Sequence, residues 1–177
     1  WTAPSGHTTP DPVTLQKLLA AAAQGGVTHA AMEASSHGID QRRLDGVRLK
    51  AAGFTNLTQD HLDYHGTMEA YFEAKAQLFT RLLPEDGIAV VNLDGARGSD
   101  MAELALGRGL RVLTVGKGQG ADLQIAATRP DATGQEVRYL WQGRAFQTRL
   151  GLIGAFQAEN VAVAAGVAIA AGDAPEA

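Results

Sequence analysis

Four short apolar runs most constrain the fold of this chain: "VTHAAMEASS" (27–36), "AAGFTNLTQDH" (51–61), "GIAVVNLDG" (87–95) and "RVLTVG" (111–116). Each is nearly unbroken and shorter than a buried helix, as expected of strands covered on both faces. Helical spacing fills the gaps. "TTPDPVTLQKLLAAAAQGG" predicts a helix capped by Asp11, with Pro12 in its first turn and Leu15, Leu18, Leu19 and Ala22 on one face, ended by Gly25 and Gly26. Further helices are predicted near Met68–Leu83 and Ser99–Gly107. Strand and helix alternating at this spacing predict an α/β fold, a mostly parallel sheet with right-handed crossovers.

The pattern changes after Gly120. Residues 121–150 alternate in polarity and carry turn signals at Pro130–Gly134 and Gln142–Gly143. They predict two or three antiparallel strands, a small β appendage within a single domain spanning 1–177. "GLIGAFQAENVAVAAGVAIAAG" closes the chain as an alanine-rich helix.

Composition removes several function classes. Apolar residues make up 45% of the chain, enough for a real core, and the net charge of −4 argues against a general nucleic-acid surface. With no cysteine there is neither a disulfide framework nor a thiolate metal site. No apolar run approaches the roughly 20 residues of a membrane span, and no signal peptide is visible. These features fit a cytoplasmic protein with no membrane or nucleic-acid partner. The chain opens on Trp1 and stops at "GDAPEA", which reads as an excised piece of a longer protein.

Chemistry is expected where parallel strands end at their carboxyl edge. The first run ends in Glu33, Ser35, Ser36 and His37, and the second in Thr58, Asp60, His61, Asp63 and His65. Were these strands neighbours, carboxylate and imidazole would converge. Oxygen and nitrogen donors without sulfur suit a hard ion such as Mg²⁺ or Mn²⁺. His37 and His65 read as packing or hydrogen-bonding residues, and Asp63 as a cap for the helix near Thr67.

Lys75 is the sharper anomaly. It falls on the helix face that also carries Met68, Phe72, Phe79 and Leu82, and burying an unpaired ammonium costs several kcal/mol, on the order of a large share of total stability. Its stem packs while the amine reaches water, or it meets a carboxylate, or a depressed pKa prepares the amine for covalent modification. "HTTPDP" places two threonines before a helix, where hydroxyls and free amides can hold an anion; "DQRRLDG" offers Arg42 and Arg43 as forks for carboxylate or phosphate. No GxxxxGK[ST] phosphate loop occurs in the 177 residues, and "VGKGQG" lacks the spacing and the hydroxyl residue.

Taken together, "HTTPDP", "MEASSHGIDQRRLDGV", "FTNLTQDHLDYHGTMEAYFEAKAQLF" and "LIGAFQAENVAVA" resemble the Mur ligase family, nearest its branch that adds the third residue of the peptidoglycan stem peptide. The resemblance spans nearly the whole chain. It implies the P-loop-like central ATPase domain, lacking its opening strand and phosphate loop, with the family's other two domains missing as partners. It implies ATP and Mg²⁺ as cofactors. It also implies UDP-MurNAc-L-Ala-D-Glu and a diamino acid, diaminopimelate or lysine, as substrates.

By the same resemblance Glu33 and His61 are metal ligands, and Lys75 carries a CO₂-derived carbamate that completes the set. Thr8, Thr9, Ser35, Gln41 and Arg43 hold the UDP-substrate, and Asn160 lies near the adenine. Gln157 and His7 depart from the asparagines common in relatives. Two other classes stay open on the residues alone: a metal-dependent hydrolase built on Asp60 and His61, and a non-catalytic anion-binding module.

Overall fold

The computed structural model describes residues 8–175. The chain divides into two compact units, each drawn from two stretches: one comprises the chain up to Arg48 with Gln59–Leu82, the other Leu49–Thr58 with the chain from Leu83 onward.

The first unit is helical. α1 (Pro12–Gln24) starts as predicted: the Asp11 carboxylate accepts from the amides of Val13 (3.1 Å) and Thr14 (3.0 Å), and Gly25 ends the helix. Leu15 and Ala22 are its buried residues. α2 (Ser36–Asp40) is capped by Ser35, whose hydroxyl accepts from the Gly38 amide at 3.1 Å. α3 (Leu62–His65) leads to α4 (Met68–Gln77), which continues as a π-helical turn over Leu78–Leu82. Asp63 lies inside α3, and the cap of α4 is Thr67, whose Oγ1 accepts from the Ala70 amide at 3.1 Å.

One expected strand is not formed. Residues 27–35 are irregular, 27–33 are exposed, and Ser36 already belongs to α2. An apolar run becomes a buried strand only when neighbours complete its ladder on the sheet, and no strand pairing among the described residues includes this segment.

The second unit holds one six-stranded sheet in the order β1-β2-β3-β4-β5-β6. β1 (Ala51–Phe54), β2 (Ile88–Asn92) and β3 (Arg111–Gly116) are parallel, with Gly53 opposite Val90 and Val90 opposite Leu113. β4 (Leu123–Asp131) pairs parallel to β3 only at its first two residues. It then runs antiparallel to β5 (Gly134–Trp141), which pairs with β6 (Arg144–Leu150). The antiparallel strands thus extend the parallel sheet. Pro130 is tolerated because β3 does not reach that part of β4, so its missing N–H breaks no parallel ladder. Gln142 (φ 49°) and Gly143 (φ 77°) make the tight β5–β6 turn, where two positive φ values match the strand twist.

α5 (Gly98–Gly107) packs against β2 and β3, and α6 (Phe156–Ala171) against β1 to β4. The predicted last helix begins only at Phe156, after a loop over 151–155. Small residues bring α6 close to the sheet. A Cβ on Gly166 would stand 2.7 Å from Val90 Cγ1, and one on Gly53 2.8 Å from Val163 Cγ1. The core between them contains Val90, Val115, Val137, Ala158 and Ala162, all fully buried.

Candidate functional site

The first unit gathers most of the residues singled out from the sequence. Thr9 is fully buried. Its hydroxyl donates to the Glu33 carbonyl (2.9 Å), accepts from the Ser35 amide (3.0 Å) and meets Ser35 Oγ at 3.0 Å. Arg43 donates from Nη1 to the Thr9 carbonyl (2.9 Å), and from Nε (3.0 Å) and Nη2 (2.6 Å) to Gln41 Oε1. Gln41 in turn donates from Nε2 to the Tyr64 hydroxyl (3.2 Å), which donates to Asp40 Oδ2 at 2.8 Å. Thr9, Ser35, Gln41 and Arg43, scattered over 35 positions of the sequence, therefore belong to one hydrogen-bonded network, and Thr8 lies exposed beside it. Arg81 anchors the end of α2: it pairs with Asp45 and donates from Nη2 to the Ile39 carbonyl (2.9 Å).

Next to the network lies a cluster of rings, most of them edge-on or tilted to one another. Centroids stand at 4.1 Å for His37–Tyr64, 4.9 Å for His37–His61, 4.8 Å for Tyr64–His65 and 5.1 Å for the stacked pair His65–Tyr71. His61 meets Tyr71 edge-on at 5.9 Å. His61 itself takes the left-handed backbone (φ 53°), which a side chain other than glycine seldom adopts, and its amide donates to Asp60 Oδ1 at 2.8 Å. His65 is fixed by Ser36 Oγ at 3.0 Å; burial, then the neighbouring His37, holds its imidazole below the usual range.

Lys75 completes the group. Its Nζ lies 5.0 Å from the centroid of Tyr71, four residues earlier on α4, the spacing that sets one side chain above the other on a helix. Burial pushes the amine below the ordinary lysine range, opposed by the negative charges of Glu33 and then Asp60. The side chain is half-buried and, among the described residues, is not closed into an ion pair; of the two carboxylates whose charge acts on it, Glu33 is the one grouped with it from the sequence, and Asp60 is an addition.

This donor set fits a divalent ion only in part. Among the described residues no three His, Asp or Glu side chains group as a metal site. Glu33 and His61 would hold the ion as oxygen and nitrogen donors, and a third charged donor would have to come from a modified Lys75.

The sequence pointed to Lys75, Glu33, Asp60 and His61 but assigned nothing to Tyr64 and Tyr71. The i, i+4 relation of Tyr71 to Lys75 was the available signal. The expected route, two neighbouring strands delivering Glu33 and His61, is corrected: Glu33 lies on the unpaired segment, and His61 follows β1 after the irregular residues 55–60, at the N-cap position of α3. Asn160 belongs to the second unit, half-buried on α6. His7 lies outside the described residues.

A family model described as the Mur ligase middle domain matches residues 1–168. A UDP-N-acetylmuramoyl-L-alanyl-D-glutamate–2,6-diaminopimelate ligase of Caulobacter vibrioides is 51% identical over 96% of this chain and 35% of its own length. Its namesake from Chelativorans sp. is 49% identical over 93% of this chain and 34% of its own length. A solved structure of a ligase of that name superposes with a TM-score of 0.85 at 39% identity, over 96% of this chain and 35% of that one. A MurF ligase from Thermotoga maritima in complex with ADP shares the fold, with a TM-score of 0.61 at 22% identity, over 72% of this chain and 29% of that one. The chain thus spans about a third of the length of the curated relatives it matches. A middle-domain match from the first residue nearly to the last leaves one conclusion: the chain belongs to the Mur ligase family.

Proposed function

We propose that this chain is the central portion of a cytoplasmic, ATP-dependent ligase that joins 2,6-diaminopimelate to UDP-N-acetylmuramoyl-L-alanyl-D-glutamate in peptidoglycan synthesis. The identity to relatives of that name supports diaminopimelate over lysine. The observation that carries the reading is Lys75: a half-buried amine over Tyr71, in the field of Glu33 and Asp60.

The reaction has two parts. A carboxylate oxygen of the dipeptide attacks the γ-phosphorus of ATP, the bond to the bridging oxygen breaks, and ADP leaves. The diamino acid's amine then attacks the acyl phosphate carbon, loses a proton and expels phosphate. Catalysis of such transfers is mostly positioning and charge stabilisation. Mg²⁺, when bound, supplies the charge that screens the phosphate oxygens. Within this chain, Glu33 and His61 would hold that ion. Burial keeps a larger share of Lys75 as neutral amine, the form whose lone pair attacks CO₂ to give a carbamate and a released proton. The negative charge so formed answers the otherwise misplaced cation. Arg43, fixed by Gln41 and Thr9, presents a cation to the substrate beside Thr8. Asn160 lies near the adenine in this reading.

The test is ADP release and amide formation by the complete ligase, with Lys75→Ala expected to lower kcat by about 100-fold or more, the range seen when a charge-stabilising group is removed. The 177-residue chain alone is expected to release no ADP, since it holds no phosphate loop. Hydrolysis of phosphate or carboxylate esters by the chain with divalent ions would replace this reading with the hydrolase.

A further inference from the structure

Gln135, the second residue of β5, has only 1% of its surface exposed. Its Nε2 donates to the carbonyls of Gly154 (2.9 Å) and Leu152 (3.3 Å). Two acceptors on one side of the amide fix which end is nitrogen. Among the described residues its Oε1 is buried without a partner, a cost that core packing alone would not retain.

What the amide holds is the loop 151–155 that leads into α6. That loop shows little reason of its own to keep a shape: Leu152, Ile153 and, at the helix start, Phe156 are 43%, 71% and 58% exposed. The neighbouring backbone is fitted to the same purpose. Gly134 has φ 152°, and a Cβ there would lie 2.1 Å from the Leu150 carbonyl oxygen, so only glycine lets β5 begin so close to the end of β6. Gln135 pairs across from Leu150, which places its side chain where the next carbonyls of the chain pass. A buried polar side chain thus fastens a stretch whose own side chains face outward, just ahead of Asn160.

We propose that Gln135 is a positioning residue for nucleotide binding. It sets the conformation of the loop 151–155 and the start of α6, and through them the placement of Asn160. The inference rests on the ligase reading given above. It assigns Gln135 no contact with ATP.

The test uses the complete ligase carrying this chain, with ATP as the probe. Gln135→Leu keeps most of the volume and removes the donors; Gln135→Glu keeps the shape and replaces the donors by acceptors. Each is expected to raise the KM for ATP about fivefold or more while kcat per folded enzyme stays within about twofold. Amide hydrogens at 152–157 should exchange faster. A purely structural defect would lower the amount of active enzyme and leave the KM unmoved. A KM for ATP within about twofold of the parent in both variants overturns the inference.

Should neither variant fold, Gly154→Ala disturbs the same loop from the surface, because at φ 111° its Cβ would lie 2.7 Å from Phe156 Cε1. It must raise the KM likewise, and an unchanged KM overturns the inference just as well. A parent enzyme without ATP-dependent amide formation sinks the ligase reading and this inference with it. An active parent with unmoved variants sinks the inference alone.

Discussion

Thr9 illustrates how a residue expected to touch a ligand can act through its neighbours. Its hydroxyl is fully engaged with the Glu33 carbonyl and the Ser35 amide and hydroxyl, and its carbonyl holds Arg43. Thr9→Val keeps the shape and leaves the Ser35 amide without its acceptor, so it should cost about 1–3 kcal/mol, measured by urea unfolding. A loss below a few tenths would mean that the network is ornamental. Gly38 supports the tight fit, since a Cβ there would sit 2.7 Å from Thr9 Cβ. The chemistry-bearing residues were legible where a side chain contradicts its surroundings, as Lys75 does on an apolar helix face. Tyr64 and Tyr71 were not, because an aromatic on a helix has an ordinary use in the core and only the fold shows which rings it meets.

At the scale of elements, β6 is tied by charge to the end of β4, across β5. Arg149 donates from Nη1 to Asp131 Oδ2 (2.7 Å) and from Nη2 to Oδ1 (2.9 Å), and the Thr133 amide adds a third bond at 2.8 Å. The Arg149 guanidinium first, then the Thr133 amide, hold the Asp131 carboxyl well below the usual carboxylate range. A carboxylate with a depressed folded pKa gives stability that is present above its unfolded pKa and fades as pH falls through the folded one. Thermal unfolding from pH 6 downward should therefore show the parent losing stability below the usual carboxylate range, and Asp131→Asn should flatten that limb. Identical acid limbs would mean that the pair is idle, as exposed ion pairs often are.

β1, β2 and β3 could be read from their apolar runs because each lies between neighbours or under α6. Residues 27–36 carry an equally apolar run and form no strand. Composition states what a segment can bury, and the ladder partner decides whether it does. The hairpins were readable from their turns, whereas the joining of β4 to β3 was not, since two residues of pairing leave no periodic mark.

For the whole molecule, local stability should divide sharply. Backbone amides of β2 and β3 lie in a ladder under α5 and α6 and should be among the slowest to exchange in heavy water, while residues 27–33, exposed and without ladder partners, should exchange within the earliest time points. Slow exchange at 27–33 would show that the segment is paired in solution.

Neither unit is continuous in sequence: β1 interrupts the helical unit, and Gln59–Leu82 stands between β1 and its partner β2. A chain emerging from the ribosome therefore exposes β1 before the strand that will pair with it has been made, and must finish the helices first. Loop closure of that span precedes any reward from pairing, so the halves of this protein mature together and not in turn.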